Sequence, residues 1–540
     1  MTNNPDLRAI GLETEFGVWD PGDPQANAIA ISAAIVQAYA NKSRAGLVEA
    51  APVRWDYGSE DPLADLRGYR MERANAHPSQ LTDRPESFAP PIEGSSYVEA
   101  SSLERHMSPA STSVVVANGA RFYVDHAHPE YSSPEVATPL DAVLYDRAGE
   151  VIGRRAMASI AELGHEIVLV KNNTDGKGQS YGAHENYLVP RSLPFDVLVD
   201  VLTPFLITRP IVCGAGRVGL GMRSSEAGFQ ISARADFVES AVGLQTTFDR
   251  PIINTRDEPH ASEAWRRLHI INGDANLFDV STYLRVGTTA AVLWMLEDLS
   301  PGVEADLGNL RIEGDPVPCV AAVSRDLSLK KPIMHCADGQ VYSSLDMQQR
   351  LCLLVKQEMT RRGYSGYLDD VVRRWDEVLE NLDKSPHEAA HQVEWCAKLR
   401  LFDAMRERMK ATWSHPKLAA MDLQWADLRP HKSLVEKLDQ SGLVERLFTR
   451  EEVQEAVNTP PKGTRAQLRG CAVAHLPQLR AASWNSLVVE HAKSTQYLRL
   501  PLGDPGDIPQ QELLAACRTG SLSRLLEILS AKTGEEEGQV

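Results

Sequence analysis

The chain alternates between apolar and polar residues, with the period of two that is typical of β-strands, in six separate stretches. These stretches are residues 11–18, 119–127, 166–171, 181–189, 228–238 and 267–272. Apolar residues recur with helical spacing over residues 30–40, 140–163 and 281–299, and from Met347 onward the chain is predicted to be mostly helical. Strands early in the chain and helices late in it predict an α+β fold, with helices packed on one face of a largely antiparallel sheet.

The same pattern suggests how the chain is divided. Residues 58–110 are rich in Pro, Ser, Glu and Arg and have weak periodicity, so we predict a long surface insertion, a feature that is usually functional or disordered. We predict a large domain over residues 1–440 that carries this insertion, and a small C-terminal domain over residues 441–540. The acidic tail from Gly534 to Val540 is expected to be disordered.

Several of the predicted strands have one face that is unusually polar. Alternate residues of a strand share a face, so Glu13 and Glu15 lie together on the first strand, and Arg121, Tyr123 and Asp125 lie together on the second. Other polar residues in or beside such strands are Glu130, His184, Gln230, Ser232, Arg234, Asp236 and His269. The predicted sheet therefore has a face that is rich in carboxylates, arginines and histidines.

Two kinds of interpretation apply to this polar face. An antiparallel sheet with one solvated face would explain any single strand, but it explains the set less well because the strands contain almost no lysine. Carboxylates are the hard oxygen ligands that Mg²⁺ prefers, and arginines bind phosphate in a bidentate way, so the set favours a site for Mg-nucleotide. A carboxylate left off the metal would act as a base or a nucleophile. Paired carboxylates also serve glycosidases, but the interleaved arginines and histidines favour phosphate and metal.

The overall charge argues against some classes of partner. The chain has 56 Lys and Arg residues against 73 Asp and Glu residues, which gives a net charge of −17. General binding to nucleic acid or to anionic lipid needs a basic surface, so neither is expected, although a local basic groove is compatible with this charge. We recognise no signal peptide and no membrane-spanning stretch, since the longest apolar helical stretch, residues 290–296, is far too short.

The seven cysteines are scattered along the chain, and no two of them have C-x-x-C spacing. This distribution argues against a disulfide framework and against a structural zinc site. It predicts reduced thiols in a cytoplasmic protein.

Two short motifs suggest other chemistry. Residues 387–391 fit H-E-x-x-H, the zinc-peptidase motif, but no third ligand is evident and the neighbouring residues are polar. Residues 214–219 fit G-x-G-x-x-G, but a dinucleotide-binding motif needs a helix next, and the following residues have the composition of a loop. We interpret both motifs as chance matches.

Long segments of the chain resemble one protein family. The sequence G-L-E-T-E-F-G at residues 11–17 and the sequence N-G-A-R-F-Y-V-D-H-A-H-P-E-Y at residues 118–131 are similar to the family of Pup ligases and depupylases. Further matching segments are residues 171–175, 181–187, 253–260, 268–276, 421–424, 464–466 and 482–484. The family belongs to the glutamine-synthetase-like carboxylate-amine ligases, so the resemblance implies a curved, mostly antiparallel sheet that binds Mg-ATP.

Two features resemble the depupylases of this family rather than the ligases. One is the sequence Asp125-His126-Ala127-His128, and the other is the insertion between Tyr57 and Asn118, where depupylases carry a loop. The resemblance implies hydrolysis of the isopeptide bond between the C-terminal Glu of Pup, a small disordered acidic protein, and a lysine of a pupylated protein. It also implies deamidation of a C-terminal Gln of Pup to Glu, with ATP as a bound cofactor. A Pup–protein ligase, which consumes ATP through a phosphorylated Glu, and an inactive Pup-binding regulator are the alternatives.

The resemblance also implies roles for individual residues. Asp125 matches the catalytic aspartate, which acts as a nucleophile or as a base. The implied magnesium ligands are Glu13, Tyr123 and Glu130, and the further members of the metal and phosphate cluster are Glu15, His184 and His269. The implied nucleotide contacts are Arg121, Arg234 and Arg256 for the phosphates and Trp484 for the base, with Arg465 nearby. Because Pup is acidic, we also expect a local basic groove, for which the candidates are Arg361, Arg362, Arg373 and Arg374.

Overall fold

The computed structural model of the chain describes residues 8–23, 25–43, 52–58, 60–76, 96–99, 112–175, 178–219, 227–490 and 496–536. Within these ranges the chain forms mostly antiparallel sheets packed by helices, which confirms the predicted α+β class.

The strands of the described residues are β1 (Ile10–Glu15), β2 (Gly17–Trp19), β3 (Arg54–Trp55), β4 (Ser96–Glu99), β5 (Ser113–Val115), β6 (Arg121–Asp125), β7 (His128–Ser132), β8 (Val168–Val170), β9 (Ala183–Pro190), β10 (Arg217–Gly219), β11 (Gly228–Gln230), β12 (Ser240–Gly243), β13 (Pro251–Asn254), β14 (Trp265–Ile270), β15 (Met334–His335), β16 (Val341–Tyr342), β17 (Leu479–Ala482), β18 (Ser486–Glu490) and β19 (Gln496–Pro501). The α-helices are α1 (Ala28–Ser43), α2 (Pro139–Ala161), α3 (Phe195–Thr208), α4 (Pro210–Cys213), α5 (Asp279–Leu296), α6 (Pro301–Asn309), α7 (Val317–Arg325), α8 (Ser344–Arg362), α9 (Leu368–Lys384), α10 (Glu394–Met409), α11 (Pro416–Ala426), α12 (Leu434–Gln440), α13 (Arg450–Ala456), α14 (Ala466–His475), α15 (Gln511–Arg518) and α16 (Leu522–Glu536).

The central sheet has six strands in the order β14-β9-β1-β7-β6-β5, and every neighbouring pair is antiparallel. Helices α1, α2 and α5 pack against one face of this sheet. That face presents Thr14, which donates to Asp146 of α2, and Phe122, whose ring meets that of Tyr39 of α1 edge to face. The helices leave the opposite face of the sheet to the polar residues, as the alternation of the sequence predicts.

Helix α2 shows how local sequence sets this packing. The hydroxyl of Thr138 accepts a hydrogen bond from the backbone N–H of Asp141 at 3.1 Å, and Pro139 occupies the first turn, so the helix begins with a favourable cap. In the middle of the helix, Gly149 lies against the ring of Tyr131 on β7, where a Cβ would overlap the ring. This close approach holds α2 against the strand that also carries Glu130.

A second sheet has five strands in the order β3-β17-β18-β19-β4, and α14, α15 and α16 contribute to its hydrophobic core. This core begins at Leu468 in the late part of the chain and also takes in Val53 and Trp55 from the early part. The main core extends to Val457. The domain boundary at residue 440 stays a prediction. The prediction that the chain is mostly helical after Met347 missed β17, β18 and β19.

The first part of the predicted insertion lies along the segment that follows β13. The backbone N–H of Leu66 donates to the carbonyl of Thr255 at 2.7 Å, and the N–H of Asp257 donates to the carbonyl of Ala64 at 2.9 Å. The hydroxyl of Thr255 also donates to Asp65 at 2.8 Å. Of residues 58–110, only residues 58, 60–76 and 96–99 are described, and the rest of the predicted insertion lies outside the described residues.

One predicted strand is wrong. Residues 228–238 form the short strand β11 and then leave the sheet, and Ala235–Phe237 is a 3-10 helix. The reason is a distant partner, because the carboxylate of Asp274 accepts a hydrogen bond from the hydroxyl of Ser232 at 2.8 Å and holds the segment in a turn. As a result, one strand face is not shared by Gln230, Ser232, Arg234 and Asp236.

Among the described residues, neither of the two short motifs has the structure that its function needs. His387 belongs to a single 3-10 turn, Pro386–Ala389, rather than to an α-helix that would align it with His391. The glycine motif leads into β10, which pairs with β11 as a hairpin, and residues 220–226 lie outside the described residues. All seven cysteines are free thiols. Among the helices of the described ranges, none is long and apolar enough to cross a bilayer.

Candidate active site

The register of the central sheet brings the predicted site residues of three inner strands together. Glu13 of β1 lies directly opposite Ser132 of β7 on one side and His184 of β9 on the other. Glu15 lies directly opposite Glu130. Residues that face each other across antiparallel strands point to the same side of the sheet, so these five residues share one face.

The outer strands extend this polar face in both directions. On β6, Tyr123 lies opposite Glu130, and Asp125 is two residues further along the same face. On β14, His269 lies opposite Asn186 of β9. The face therefore carries predicted site residues from five consecutive strands.

This face forms the floor of a cleft of about 1070 Å³, part of which is open to solvent. Its lining includes the predicted site residues Glu13, Arg121, Tyr123, Asp125, Glu130, His184, Arg256, His269 and Trp484. A second cavity of about 550 Å³ adjoins the cleft at Glu13, Arg267 and Trp484 and extends along the start of β1. The two cavities therefore share part of their lining.

Two groups of side chains on this polar face of the sheet have the spacing of metal ligands. Carboxylate oxygens of Glu15, Asp125 and Glu130 lie within 4.8 Å of one another. One oxygen of Glu13 and one ring nitrogen each of His184 and His269 are equally close together. The first group offers only hard oxygen ligands, which is the donor set that Mg²⁺ prefers.

The electrostatics of the carboxylate group also fit a cation. Burial raises the pKa of Glu130 well above its ordinary value, and the charges of Asp125, Glu13 and Glu15 raise it further. The hydroxyl of Tyr123 opposes this by donating a hydrogen bond to Glu130 at 2.5 Å. A divalent cation would relieve the repulsion between these carboxylates, so the residues fit a magnesium ion.

The two histidines are held in orientations that suit a ligand role. Burial lowers the pKa of His269 well below its ordinary value, and nearby Arg267 lowers it further, so its imidazole stays neutral. Its Nδ1 lies 2.8 Å from the amide oxygen of Asn186, which leaves Nε2 with its lone pair. Burial raises the pKa of Glu13, but the hydrogen bond from His184 and the positive charge of nearby Arg267 help to hold it below its ordinary value overall.

Glycine leaves room beside these groups. Gly182 precedes β9, and a Cβ at this position would overlap the ring of His184 and lie 2.9 Å from Oε1 of Glu15. The space next to both side chains therefore depends on the absence of a side chain here.

Asp125 stands at the rim of the cleft, as the last residue of β6. Its carboxylate lies 2.7 Å from Nδ1 of His126. Burial raises the pKa of Asp125, but the hydrogen bond from His126 and the charges of His126, His184 and Arg121 lower it overall. Asp125 is therefore ionised at neutral pH, as a nucleophile or a base must be.

Two of the arginines predicted to contact phosphate line the cleft. The guanidinium of Arg121 stacks 3.8 Å from the ring centre of Tyr123 and donates to the hydroxyl of Tyr57 at 2.7 Å. The guanidinium of Arg256 pairs with Glu258 at 2.7 Å. Both place positive charge at the edge of an acidic site, where phosphate groups need it.

The other two predicted arginines lie away from the cleft. Arg234 is buried and donates to the backbone carbonyl of Tyr181, and burial, helped by Arg250, lowers its pKa to about 10. Arg465 donates to Glu135 at 2.8 Å and to the carbonyl of Gly503 at 2.8 Å, and it lines only the second cavity. Their predicted phosphate and nucleotide contacts stay predictions.

Several residues of the cleft received no role from the sequence, namely Glu60, Ser132, Glu258 and Arg267. Arg267 lies between Glu13 at 3.9 Å and Glu258 at 3.6 Å. Its position two residues before His269, on the same strand, would have placed it on the polar face. Glu60 gave no such signal because it belongs to the insertion; burial raises its pKa to about 7.

The four arginines proposed for a basic groove are already engaged with acidic groups. Arg361 pairs with Asp298 at 2.9 Å, and Arg362 lies 3.5 Å from Glu358. Arg373 pairs with Glu377 at 2.6 Å. Arg374 pairs with Glu445 at 2.7 Å. Their charges are therefore largely compensated within the chain, which does not favour a groove for an acidic partner at these positions.

Comparison with known proteins identifies relatives of the whole chain. The model of the Pup-ligase protein family matches residues 8–488. The Pup deamidase/depupylase of Mycobacterium tuberculosis is 42% identical over 502 residues, which cover 92% of this chain and 94% of the relative. The depupylase of Acidothermus cellulolyticus is 41% identical, with 98% of this chain and 99% of the relative covered. The Pup–protein ligase of Mycobacterium avium is 37% identical over 67% of this chain and 80% of its own length.

Two solved structures are also similar. The complex between Pup and its ligase PafA has a TM-score of 0.73 and 28% identity, with 99% of this chain and 95% of the PafA chain covered. PafA in complex with ADP has a TM-score of 0.66 and 33% identity, with 78% of this chain and 90% of that chain covered.

Proposed function

The chain belongs to the family of Pup ligases and depupylases, and we propose that within this family it is a depupylase and Pup deamidase that requires Mg-ATP. Such an enzyme hydrolyses the isopeptide bond between the C-terminal Glu of Pup and a lysine of a pupylated protein. It also deamidates a C-terminal Gln of Pup to Glu. The two depupylases match nearly the whole chain at 41–42% identity, whereas the ligase of Mycobacterium avium matches 67% of it at 37% identity. This difference supports hydrolysis over ligation.

The observation that carries the proposal is the meeting of Glu15, Asp125 and Glu130 on one face of the sheet, with oxygens within 4.8 Å of one another. Both reactions of the proposed enzyme cleave an amide of the same γ-carboxyl group, so one acidic site serves both. Bound Mg²⁺ supplies concentrated positive charge that polarises a carbonyl or phosphoryl oxygen. The implied ligands in this chain are Glu13, Glu15, Tyr123, Glu130, His184 and His269.

Asp125 is the group that reacts in our proposal. Its depressed pKa keeps the carboxylate ionised, and its position at the rim of the cleft leaves it partly exposed to an incoming substrate. It acts either as the nucleophile at the scissile carbonyl or as the base that takes a proton from the attacking water. As a nucleophile the carboxylate must lie against the electrophilic carbon, and as a base it must lie within hydrogen-bond reach of the attacking water.

The other residues of the cleft orient the nucleotide. Arg121, Arg256 and Arg267 place guanidinium groups at its border, and each can donate two hydrogen bonds to a phosphate group. Trp484 lines both cavities and offers an aromatic surface for a nucleotide base. The structure of PafA in complex with ADP supports nucleotide binding by this fold.

We also propose Pup and pupylated proteins as partners and the cytoplasm as location. The complex of PafA with Pup supports the partner. The seven free thiols support a reducing compartment, because structural disulfides are typical of oxidising ones.

The test is cleavage of a purified Pup–protein conjugate by the wild-type protein, followed by gel electrophoresis. We expect release of the target protein and of Pup with Mg-ATP, and no release when EDTA removes the metal or when nucleotide is left out. A parallel reaction with free Pup ending in Glu and the unmodified target serves as the control for ligation. Conjugate formed in that reaction with stoichiometric ADP, and no cleavage, would support the ligase and contradict the proposal. Cleavage that does not depend on ATP but is inhibited by a zinc-selective chelator would contradict the proposal as well.

A further inference from the structure

The turn that follows Asp125 has an unusual backbone. His126 and Ala127 connect β6 to β7, and Asp125 lies directly opposite His128. His126 has φ = 51°, in the left-handed region that few residues other than glycine adopt, with Asn, Asp and His among the exceptions. The turn is also anchored, because the buried hydroxyl of Ser32 on α1 donates to the carbonyl of Ala127 at 2.9 Å. The fold therefore holds His126 in a costly conformation.

This conformation directs the imidazole of His126 to the carboxylate of Asp125. Nδ1 and Oδ2 are 2.7 Å apart, and 41% of the His126 side chain and 25% of the Asp125 side chain are exposed. An ionised carboxylate only accepts hydrogen bonds, so Nδ1 carries the hydrogen and donates it. Both side chains line the cleft.

The carboxylate of Asp125 needs such a donor because of its other neighbours. Oxygens of Glu15 and Glu130 lie within 4.8 Å of it, and until a cation binds among them, like charges at this distance repel one another. A free Asp125 side chain would rotate away from them toward solvent. A hydrogen bond from the solvent side opposes that rotation and keeps the carboxylate turned into the cleft.

We propose that His126 is a positioning residue for the reaction, whose Nδ1–H holds the carboxylate of Asp125 in its reactive orientation. The left-handed backbone at His126 is the means by which the two-residue turn brings the imidazole beside its own preceding residue. The inference rests on the proposed function, because it assigns His126 a role in the chemistry of Asp125.

The test uses two substitutions that fit a left-handed backbone. His126→Asn keeps a donor, because the amide nitrogen of Asn occupies the place of Nδ1, and Asn tolerates positive φ. His126→Gly removes the strain of the left-handed backbone, and it also removes the hydrogen-bond donor. A misplaced catalytic group costs on the order of 100-fold in rate, so we expect kcat for conjugate cleavage to fall by about 30-fold or more in His126→Gly. His126→Asn should keep kcat within about threefold of wild type, with KM for the conjugate within about twofold in both variants.

Either of two results would overturn the inference, namely His126→Gly as active as wild type, or His126→Asn as impaired as His126→Gly. If the glycine variant does not fold, His126→Gln provides the test. The amide of Gln lies one methylene further from the backbone than that of Asn, so it is misplaced for the hydrogen bond to Asp125. We expect His126→Gln to be impaired like the glycine variant, and wild-type activity in it would contradict the inference.

Crystal structures of the variants give a readout that does not depend on activity. Asp125 should keep one orientation in His126→Asn and rotate or adopt several conformers in His126→Gly, and an unchanged Asp125 in the glycine variant would contradict the inference. Different results would contradict the proposed function and the role of His126. A wild-type protein that does not cleave the conjugate contradicts the proposed function, whereas an active wild type with an equally active His126→Gly contradicts only the role of His126.

Discussion

Among single residues, Tyr123 has the contact on which the acidic site depends most. Its hydroxyl donates to Glu130 at 2.5 Å, inside a group where burial and three neighbouring carboxylates favour the protonated form of Glu130. Only an ionised carboxylate binds a divalent cation well. The hydrogen bond therefore favours the form of Glu130 that the proposed magnesium site needs.

Replacing Tyr123 by Phe removes this hydrogen bond and a proposed metal ligand. A hydrogen bond to a charged group is worth about 1.5–3 kcal/mol, so we expect Tyr123→Phe to need about tenfold more Mg²⁺, or more, for half-maximal activity. A titration of conjugate cleavage against Mg²⁺ concentration measures this.

Tyr131→Phe is the matched control. Tyr131 lies on the helix-covered face of the same hairpin, where its hydroxyl meets Asn118 at 3.1 Å. Its loss should lower stability but leave the Mg²⁺ requirement unchanged. An unchanged requirement in Tyr123→Phe would mean that this hydroxyl has no part in metal binding.

At this scale, alternation along each strand was a good guide to the residues that enter the cleft, because a strand has only two faces. It also would have found Arg267 from its spacing to His269. It gave no information on Arg465, whose hydrogen bonds to Glu135 and to the carbonyl of Gly503 come from segments far away in the chain. Which arginine is free for a ligand depends on partners that no local pattern contains.

Between secondary-structure elements, the contact of α14 with the central sheet matters most for the cleft. Glu135, just after β7, accepts from both Arg465 and Arg469. Arg469 also donates to the carbonyl of Trp484 at 2.9 Å, and its guanidinium lies 4.9 Å from the ring centre of Trp484. This buried cluster therefore ties the wall of the cleft that carries Trp484 to the sheet that carries the carboxylates.

The pKa of Glu135 predicts how this contact depends on pH. Burial raises it, but the charges of Arg469 and Arg465 and their hydrogen bonds lower it to about 2 overall. A group whose pKa is lowered by folding stabilises the folded state at pH values above its unfolded-state pKa, which is about 4.3 for Glu. This stabilisation is lost as the pH falls toward the folded-state pKa. We expect Glu135→Gln to cost about 3 kcal/mol at pH 7, seen as a lower thermal midpoint, and the difference from wild type to shrink below about pH 4.3.

Glu490→Gln is the control for this prediction. Glu490 pairs with Arg480 at the surface, where an ion pair contributes about 0–1 kcal/mol. Its thermal midpoint should follow that of the wild type at every pH. A destabilisation of Glu135→Gln that is as large at pH 3 as at pH 7 would contradict the role of the Glu135 charge.

The elements themselves were predictable where the pattern is local and long. Helix α2 and strand β9 fall within one or two residues of the predicted bounds. The predicted strand over residues 228–238 failed because Asp274, some forty residues away, holds Ser232 in a turn. Strands β17 to β19 were missed because their β-structure depends on pairing with one another and with β3.

For the whole molecule, the net charge of −17 requires any docking site for an acidic partner to be local. The ion pairs do not favour such a site at the arginines proposed from the sequence, since Arg373 pairs with both Asp370 and Glu377 on its own helix. We expect Arg373→Gln, at a side chain that is 52% exposed, to change KM for the Pup conjugate by less than about twofold.

Steady-state kinetics at two ionic strengths measure this change. A KM that rises by tenfold or more, and more at low salt than at high salt, would place Pup on this helix after all. In that case the internal ion pairs of Arg373 would have to open on binding.

The arrangement of the site as a whole was the part that the sequence could not specify. Glu13 and His269 are more than 250 residues apart, yet their ligand atoms lie within 4.8 Å because β9 lies between β1 and β14. Each strand was recognisable, but the order and register of the strands are set by the helices and turns that connect them. The resemblance to a known family supplied what the alternation pattern could not.

The most direct test of the account is the rate of Pup-conjugate cleavage by wild type and by Asp125→Asn, with Mg-ATP at saturation. Asp200→Asn, the same change at an exposed position on α3, is the control. The account predicts nucleotide-dependent cleavage by the wild type and the control, and a rate at least about 1000-fold lower in Asp125→Asn with an unchanged thermal midpoint. Cleavage by Asp125→Asn at the wild-type rate would show that the reaction does not use this carboxylate and would contradict the account.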